Sequence, residues 1–207
     1  MKKNEREILR LLRERYATYK TGLDFRNPFE LVIATMLSAQ ATDKQVNKVT
    51  KIFFEKYPTV YEMNTLSIEE IECEINSIGL YKNKSKHIKG ICEKLLHDFN
   101  GVVPNNREDL ESLPGVGRKT ANVVLCNAFN IPAFAVDTHV FRVSQRLGLA
   151  QGKTVVHIEE ALMQKLPRKY WCDAHHWIIW HGREFCKARN PLCEKCFLFT
   201  KCPKIGV

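Results

Sequence analysis

The chain has 207 residues, 44% of them hydrophobic and 27% charged, so it can bury a core and is not intrinsically disordered. Its net charge of +9 favours a polyanionic partner, with nucleic acid ahead of a membrane surface. The first residues lack the apolar segment of a signal peptide, and the most apolar run, residues 31–37, is too short to cross a bilayer. We therefore expect a cytoplasmic protein with no membrane partner, in which cysteines stay reduced.

Apolar residues recur at helical spacing along most of the chain. The helix that begins at Pro28 is apolar almost all round, which predicts a central, buried helix running to about Ser38. Steps of three and four between apolar residues indicate further helices around residues 8–12, 46–53, 68–78, 88–99 and 158–166. The stretches that look extended, 102–103 and 133–136, are short. The sequence therefore predicts an all-α fold.

The segment Leu113-Pro114-Gly115-Val116-Gly117 is the most informative part of the sequence. A short helix over about 107–112 leads into it, and a second helix begins at its end. Glycine allows backbone angles that other residues avoid, and the first turn of a helix presents N–H groups without partners. Such a turn can hold a phosphate through backbone contacts, without reading base sequence. Taken alone, the pattern fits an ordinary connection between two helices equally well.

Together with Arg118-Lys119-Thr120-Ala121, this segment resembles the helix-hairpin-helix element of DNA-repair glycosylases. The similarity to the endonuclease III family extends over nearly the whole chain. The other matching blocks are residues 37–43, 78–81, 135–139 and 175–177 and the cysteine-containing tail. The resemblance implies two helical domains separated by a cleft: a six-helix barrel over 21–131 that holds the hairpin, and a second domain made of 1–20 and 132–207.

Lys119 matches the catalytic lysine of that family. The role implied is that its amine attacks C1′ of the damaged nucleotide, displaces the base and forms a Schiff base that permits β-elimination. A lysine with a pKa of about 10.4 is neutral in only roughly one molecule in 2,500 at pH 7. We therefore expect Arg118, the positive helix N-terminus and partial burial to favour the neutral amine. Without the resemblance, Lys119 is interpreted as an ordinary phosphate-contacting lysine.

Asp137 matches the family's catalytic aspartate. A carboxylate there would stabilise oxocarbenium character at the sugar and help to manage the lysine proton. Asp137 also lies between the extended stretch 133–136 and a helix, so a role as the N-cap of that helix accounts for it without catalysis. The two roles are compatible. Relatives that remove mismatched adenine lack the amine at the lysine position, so Lys119 implies base excision coupled to strand cleavage.

Four cysteines, Cys186, Cys193, Cys196 and Cys202, lie in one C-terminal segment with the spacing C-x6-C-x2-C-x5-C. In a reducing compartment, thiols this close in sequence predict a metal centre. Spacing alone leaves zinc open, although all-cysteine zinc sites usually pair two C-x2-C motifs and one is present here. The resemblance implies that the four residues hold one [4Fe–4S] cluster, which shapes a basic loop against DNA.

The resemblance also implies DNA contacts. Enzymes of this kind rotate a base out of the duplex, and Gln40 and Leu80 would fill the gap on opposite sides. Without the family, Leu80 is interpreted as a core residue, and Lys82, Lys84, Lys86 and Lys89 as a solvated basic face. The DNA-contacting residues implied are Gln40, Leu80, Leu113, Gly115, Val116, Gly117, Arg118, Thr120, His139, Lys187 and Arg189.

These observations predict a monomeric enzyme of base-excision repair that acts on duplex DNA with damaged bases or abasic sites. The expected activity is that of a bifunctional glycosylase and lyase for oxidised or ring-damaged pyrimidines. Three alternatives remain open: a monofunctional mismatch or uracil glycosylase, a non-catalytic DNA-binding module, and an electron-transfer iron–sulfur protein. The last of these gives no reason for the hairpin.

Overall fold

The computed structural model describes residues 1–207, and helices are its only regular secondary structure, which confirms the all-α prediction. The α-helices are α1 (Lys3–Tyr16), α2 (Pro28–Leu37), α3 (Asp43–Lys56), α4 (Val60–Asn64), α5 (Ile68–Ile75), α6 (Tyr81–Asp98), α7 (Arg107–Glu111), α8 (Arg118–Phe129), α9 (Thr138–Arg146), α10 (Val155–Lys165) and α11 (Trp171–Glu184). Two 3₁₀ helices cover Arg168–Tyr170 and Cys193–Lys195. None of the helices has the length and apolar character needed to cross a membrane. The chain divides into two compact units, one formed by Met1–Thr21 with Pro132–Val207 and the other by Gly22–Ile131.

Helix α2 is the centre of the unit Gly22–Ile131. Nine of its ten residues are buried, and it packs against α3, α6 and α8. Its start is fixed by Asn27, whose side chain accepts a hydrogen bond of 3.0 Å from the Glu30 amide, and by Pro28 in the first turn. Because apolar side chains cover almost every face of the helix, burial on all sides is favourable. The predicted central helix is confirmed.

Helix α6 is the longest helix of the same unit and packs against α2, α4 and α5. The apolar stripe predicted from the sequence is buried at Ile88, Ile91, Cys92 and Leu95. At its start the chain turns through Leu80, which precedes the first helical residue. The orientation of α6 therefore decides where the Leu80 turn lies.

The unit formed by Met1–Thr21 and Pro132–Val207 is built around α11, which packs against α1 and α9. The segment 133–136, predicted to be extended, forms no strand but is buried in this unit. Its Ala135 carbonyl accepts a hydrogen bond of 2.7 Å from His175 Nδ1 on α11. This segment leads directly into α9, so α11 helps to fix the residue at which α9 begins.

Candidate functional site

The hairpin between α7 and α8 is anchored by its apolar side chains. Leu113 and Val116 are both buried, and the Val116 amide donates a hydrogen bond of 3.0 Å to the Leu113 carbonyl. These two residues can therefore reach a ligand only through their backbone. Gly115 and Gly117, in contrast, are exposed. Backbone atoms therefore lie at the surface at these two glycines, as the prediction of a phosphate-binding turn requires.

The two glycines of the hairpin have different requirements. Gly115 has φ +74°, and a Cβ there would lie 2.5 Å from Nδ1 of His87. Both the left-handed conformation and the close ring favour glycine at this position. Gly117 is extended, with φ −96° and ψ 177°, and a Cβ there would meet no atom within 4 Å. The turn itself therefore requires glycine only at position 115.

Lys119 lies in the first turn of α8 and its side chain is exposed. The expected partial burial is therefore wrong for the protein without DNA. Two of the three expected influences remain in place: Arg118 is the adjacent residue, and the helix N-terminus carries a positive partial charge. Thr120, the next residue, is half-buried.

Asp137 is the N-cap of α9, as one of its two predicted roles requires. Its Oδ1 accepts a hydrogen bond of 2.7 Å from the Val140 amide, which fixes the orientation of the carboxylate. The second oxygen, Oδ2, forms no hydrogen bond within the protein and is available to another group. The capping prediction is confirmed, and the geometry leaves one carboxylate oxygen for chemistry.

Helix α9 connects Asp137 to the cysteine-containing segment. Four residues beyond its first residue, Arg142 donates hydrogen bonds of 3.2 Å and 2.9 Å to the Cys186 carbonyl. Its Nη2 also lies 3.3 Å from Nδ1 of His139, which is half-buried. Burial lowers the pKa of the Arg142 guanidinium. Sequence reasoning missed Arg142, because an arginine on a helix gives no signal that its partner is a distant backbone carbonyl.

The four predicted ligands Cys186, Cys193, Cys196 and Cys202 are free thiols that line one small cavity. No group of three His, Cys, Asp or Glu side chains is arranged to hold a single metal ion. A zinc ion would need all four sulfurs about 2.3 Å from one point. Thiols that surround a cavity instead of converging on a point suit a larger inorganic group.

The sulfur atoms of two of these cysteines already accept backbone hydrogen bonds. The Leu198 amide donates to Cys196 Sγ at 3.4 Å, and the Lys204 amide donates to Cys202 Sγ at 3.3 Å. Such bonds stabilise negative charge on sulfur. Burial nevertheless raises the pKa of both thiols, so a bound metal centre would have to displace their protons.

The basic segment that follows Cys186 is bonded to an arginine of α9. Arg146 on α9 donates hydrogen bonds of 2.7 Å to the Lys187 carbonyl and 3.2 Å to the Ala188 carbonyl. Lys187 and Arg189 are both exposed, so their charges are free to meet a polyanion.

Gln40 and Leu80 share an uncommon backbone conformation. Their φ angles are +57° and +62°, and both side chains are exposed, Leu80 by 55%. A leucine in the left-handed region is an outlier that usually belongs to a functional turn. The interpretation of Leu80 as a core residue is wrong, and its exposed side chain suits the predicted insertion into DNA.

Lys84 was expected on a solvated basic face, and this is wrong: it is buried, with 4% of its surface exposed. Its Nζ donates hydrogen bonds of 2.9 Å to the Leu37 carbonyl and 2.7 Å to the Ala39 carbonyl. The signal was present in the sequence, because Lys84 lies four residues before Ile88 and therefore on the apolar stripe of α6. Lys82 and Lys86 are exposed, as expected.

The sequence is similar to that of known DNA-repair proteins. Residues 33–168 match the family described as HhH-GPD superfamily base excision DNA repair protein. Endonuclease III of Bacillus subtilis (strain 168) is 50% identical over 177 residues, which are 85% of this chain and 81% of that protein. Endonuclease III of Escherichia coli (strain K12) is 48% identical over 196 residues, which are 95% of this chain and 93% of that protein.

The structure is also similar to solved structures of DNA-repair enzymes. A trapped covalent intermediate of an endonuclease III with DNA superposes with a TM-score of 0.93 at 46% identity, over 99% of this chain and 97% of that chain. A thermostable thymine-DNA glycosylase superposes with a TM-score of 0.84 at 25% identity, over 98% of this chain and 96% of that chain. The helical fold is therefore shared with enzymes that process DNA.

Proposed function

This chain belongs to the endonuclease III family of HhH-GPD base-excision DNA repair proteins, and from that premise we propose that it is a bifunctional DNA glycosylase and abasic-site lyase. Its substrates are oxidised or ring-damaged pyrimidines and abasic sites in duplex DNA. The observation that carries the proposal is an exposed lysine, Lys119, in the first turn of the helix that follows the glycine-containing hairpin. A related endonuclease III has been trapped as a covalent intermediate with DNA.

Lys119 supplies the nucleophile in this proposal. Its neutral Nζ forms a bond to C1′ while the glycosidic bond breaks and the base leaves with the bonding electrons. Loss of the amine proton and opening of the sugar ring give an imine between Nζ and C1′. Removal of a C2′ proton then expels the 3′ phosphate, and water releases Lys119. The amine lies beside Arg118 at the N-terminus of α8, where the helix carries a positive partial charge.

Asp137 has two roles in this proposal: it stabilises positive charge at the sugar, and it accepts a proton. The cap to the Val140 amide holds its carboxylate in one orientation and leaves Oδ2 unbonded. A carboxylate fixed in this way stabilises positive charge that develops at the sugar and accepts the proton that Lys119 must lose.

We further propose that Cys186, Cys193, Cys196 and Cys202 hold one [4Fe–4S] cluster. The four thiols line one cavity, two of their sulfurs accept backbone amides, and no set of side chains suits a single ion. When bound, the cluster supplies iron–thiolate bonds that fix the surrounding loop and takes no part in base excision. The exposed Lys187 and Arg189 of that loop contact phosphates.

Gln40 and Leu80 occupy the space that the extruded nucleotide leaves. Both side chains are exposed on turns whose left-handed backbone aims them outward, and a leucine is large enough to replace stacking with neighbouring bases. The hairpin holds the DNA backbone through amides, so binding does not depend on sequence.

The activity is tested with purified protein on duplexes that carry thymine glycol, uracil, a mismatched adenine or an abasic site. Excision of thymine glycol with cleavage of its strand and of the abasic strand is expected. Base release that leaves the strand intact would identify a monofunctional glycosylase. Salt-dependent binding that leaves every damaged strand unchanged would identify a non-catalytic DNA-binding module.

A further inference from the structure

A single buried lysine connects the two turns that carry Gln40 and Leu80. The side chain of Lys84 donates from Nζ to the Leu37 carbonyl, at the end of α2, and to the Ala39 carbonyl, one residue before Gln40. The backbone amide of the same residue donates a hydrogen bond of 3.1 Å to the Leu80 carbonyl. This second bond is the first backbone bond of α6, so the side chain of Lys84 fixes the Gln40 turn to the helix turn that follows Leu80.

The charge of Lys84 has no carboxylate partner. Burial is the sole cause of the lowered pKa of this lysine, so its ammonium is compensated by backbone carbonyls. Those carbonyls lie at the negative end of α2, which favours a cation. Placing an unpaired ammonium in a helix interface is unfavourable compared with an apolar side chain of similar length. An apolar side chain of similar length could pack between α6 and α2, so the lysine is explained by the two carbonyls that it bonds.

We propose that Lys84 is a positioning residue that holds the Gln40 turn and the Leu80 turn at the spacing needed for both side chains to enter the duplex together. This proposal rests on the gap-filling role proposed above for those two side chains. Both turns have a left-handed residue at their tip, a conformation that persists only when surrounding contacts hold it. The Lys84 side chain supplies such contacts to the segment before Gln40, and its place in the first turn of α6 fixes that segment relative to Leu80.

The test measures extrusion separately from chemistry. The protein is titrated into a duplex that contains a tetrahydrofuran abasic analogue, which resists cleavage, opposite 2-aminopurine, whose fluorescence rises when it unstacks. The variants are Lys84→Met, which keeps the apolar stem without donors, and the matched control Lys86→Met, which removes an exposed charge from the same helix. Leu80→Ala and Gln40→Ala report the role of the inserted side chains themselves.

We expect Lys84→Met to lower the extrusion equilibrium about tenfold, the size of one lost charged hydrogen bond, with unchanged affinity for undamaged duplex. Lys86→Met should leave extrusion within about twofold. In a Leu80→Ala background, Lys84→Met should have little further effect, because it acts through the same insertion. Fully multiplicative losses would mean a general structural role and would overturn the proposal.

Circular dichroism at the assay temperature establishes that Lys84→Met is folded. If it is not, Lys84→Leu, which also lacks a donor, replaces it with the same expected signature, and normal extrusion by that variant overturns the proposal. If Leu80→Ala and Gln40→Ala both extrude normally, the gap-filling role and the Lys84 proposal are both wrong. Excision and strand cleavage by the unaltered protein then still decide the proposed enzymatic function independently.

Discussion

Lys119 carries the proposed chemistry, and its exposure makes it testable without disturbing the fold. Lys119→Gln keeps a similar side-chain length and hydrogen-bonding capacity but cannot form a Schiff base. Borohydride added during reaction with abasic DNA should trap the unaltered protein covalently, and both trapping and strand cleavage should be abolished in the variant. Affinity for undamaged duplex should persist, because backbone amides and other cations supply most of the binding.

Lys153→Gln is the matched control, since it removes another exposed lysine that lies outside the proposed site. It should trap and cleave like the unaltered protein. A Lys119→Gln protein that cuts abasic strands at the original rate would mean that another nucleophile or a hydrolytic mechanism is responsible.

Asp137 offers a way to separate capping from catalysis. Asp137→Asn keeps an oxygen that can accept the Val140 amide, whereas Asp137→Ala removes the cap. We expect both to lower base excision about 10²–10⁴-fold, the usual contribution of an acid–base group. Only Asp137→Ala should also lower the free energy of unfolding, by about 1 kcal/mol. Single-turnover excision and urea unfolding measure the two effects, and an Asp137→Asn protein with normal excision would leave capping as the sole role.

The role of the hairpin turn can be tested by comparing substitutions at its two glycines, because only Gly115 has a backbone conformation that requires glycine. Gly115→Ala forces alanine into a left-handed conformation, which costs about 1–2 kcal/mol, and places its Cβ against His87. Gly117→Ala meets open space in an extended backbone and is the control. Gly115→Ala should weaken binding to all duplex sequences about tenfold, measured by fluorescence anisotropy. Equal affinities of the two variants would contradict the role of the turn.

The sequence predicts the helices of this protein better than it predicts their interfaces. Helix α2 was predictable because apolar residues cover almost every face, and the Asp137 cap because an acidic residue between an extended stretch and a helix has few other local roles. Lys84 was misassigned because lysine is usually solvated, although its place on the apolar stripe of α6 gave the opposite signal. The exposure of Leu80 follows from a backbone angle, which spacing does not encode.

Some residues of the site could be predicted from the sequence, and others could not. The four cysteines were predictable from spacing as metal ligands, whereas the choice of an iron–sulfur cluster over zinc came from the resemblance to the family. The position of Lys119 in the first turn of α8 was predictable from the hairpin, but its exposure was not, because burial depends on residues distant in sequence. Arg142 and Arg146 were missed because both bind backbone carbonyls far along the chain.

Across the chain, the proposed cluster has consequences that can be measured directly. The purified protein should be yellow-brown and contain iron and acid-labile sulfide, about four of each per chain. Cys196→Ser should lose visible absorption and much of its DNA affinity, because the loop that carries Lys187 and Arg189 loses its support. Stoichiometric zinc in colourless protein prepared anaerobically would refute the iron–sulfur assignment.

The net charge of +9 makes DNA affinity depend on salt. Log affinity should fall linearly with log salt concentration, and Lys187→Ala or Arg189→Ala should each reduce the slope by about 0.9 if one phosphate contact is lost. Lys153→Ala serves as the control and should leave the slope unchanged. Equal slopes in all four proteins would mean that the loop does not contact phosphates.

The unit formed by Met1–Thr21 and Pro132–Val207 is discontinuous in sequence, and this affects the order in which the parts of the chain can fold. Helix α1 packs against α11, and Asn4 donates a hydrogen bond of 2.8 Å to the Lys201 carbonyl. These partners are synthesised long after α1, so α1 lacks its packing surface while the continuous stretch Gly22–Ile131 can already fold. All four proposed cluster ligands lie beyond residue 185, so iron and sulfide can be inserted only after the stretch Gly22–Ile131 has been synthesised.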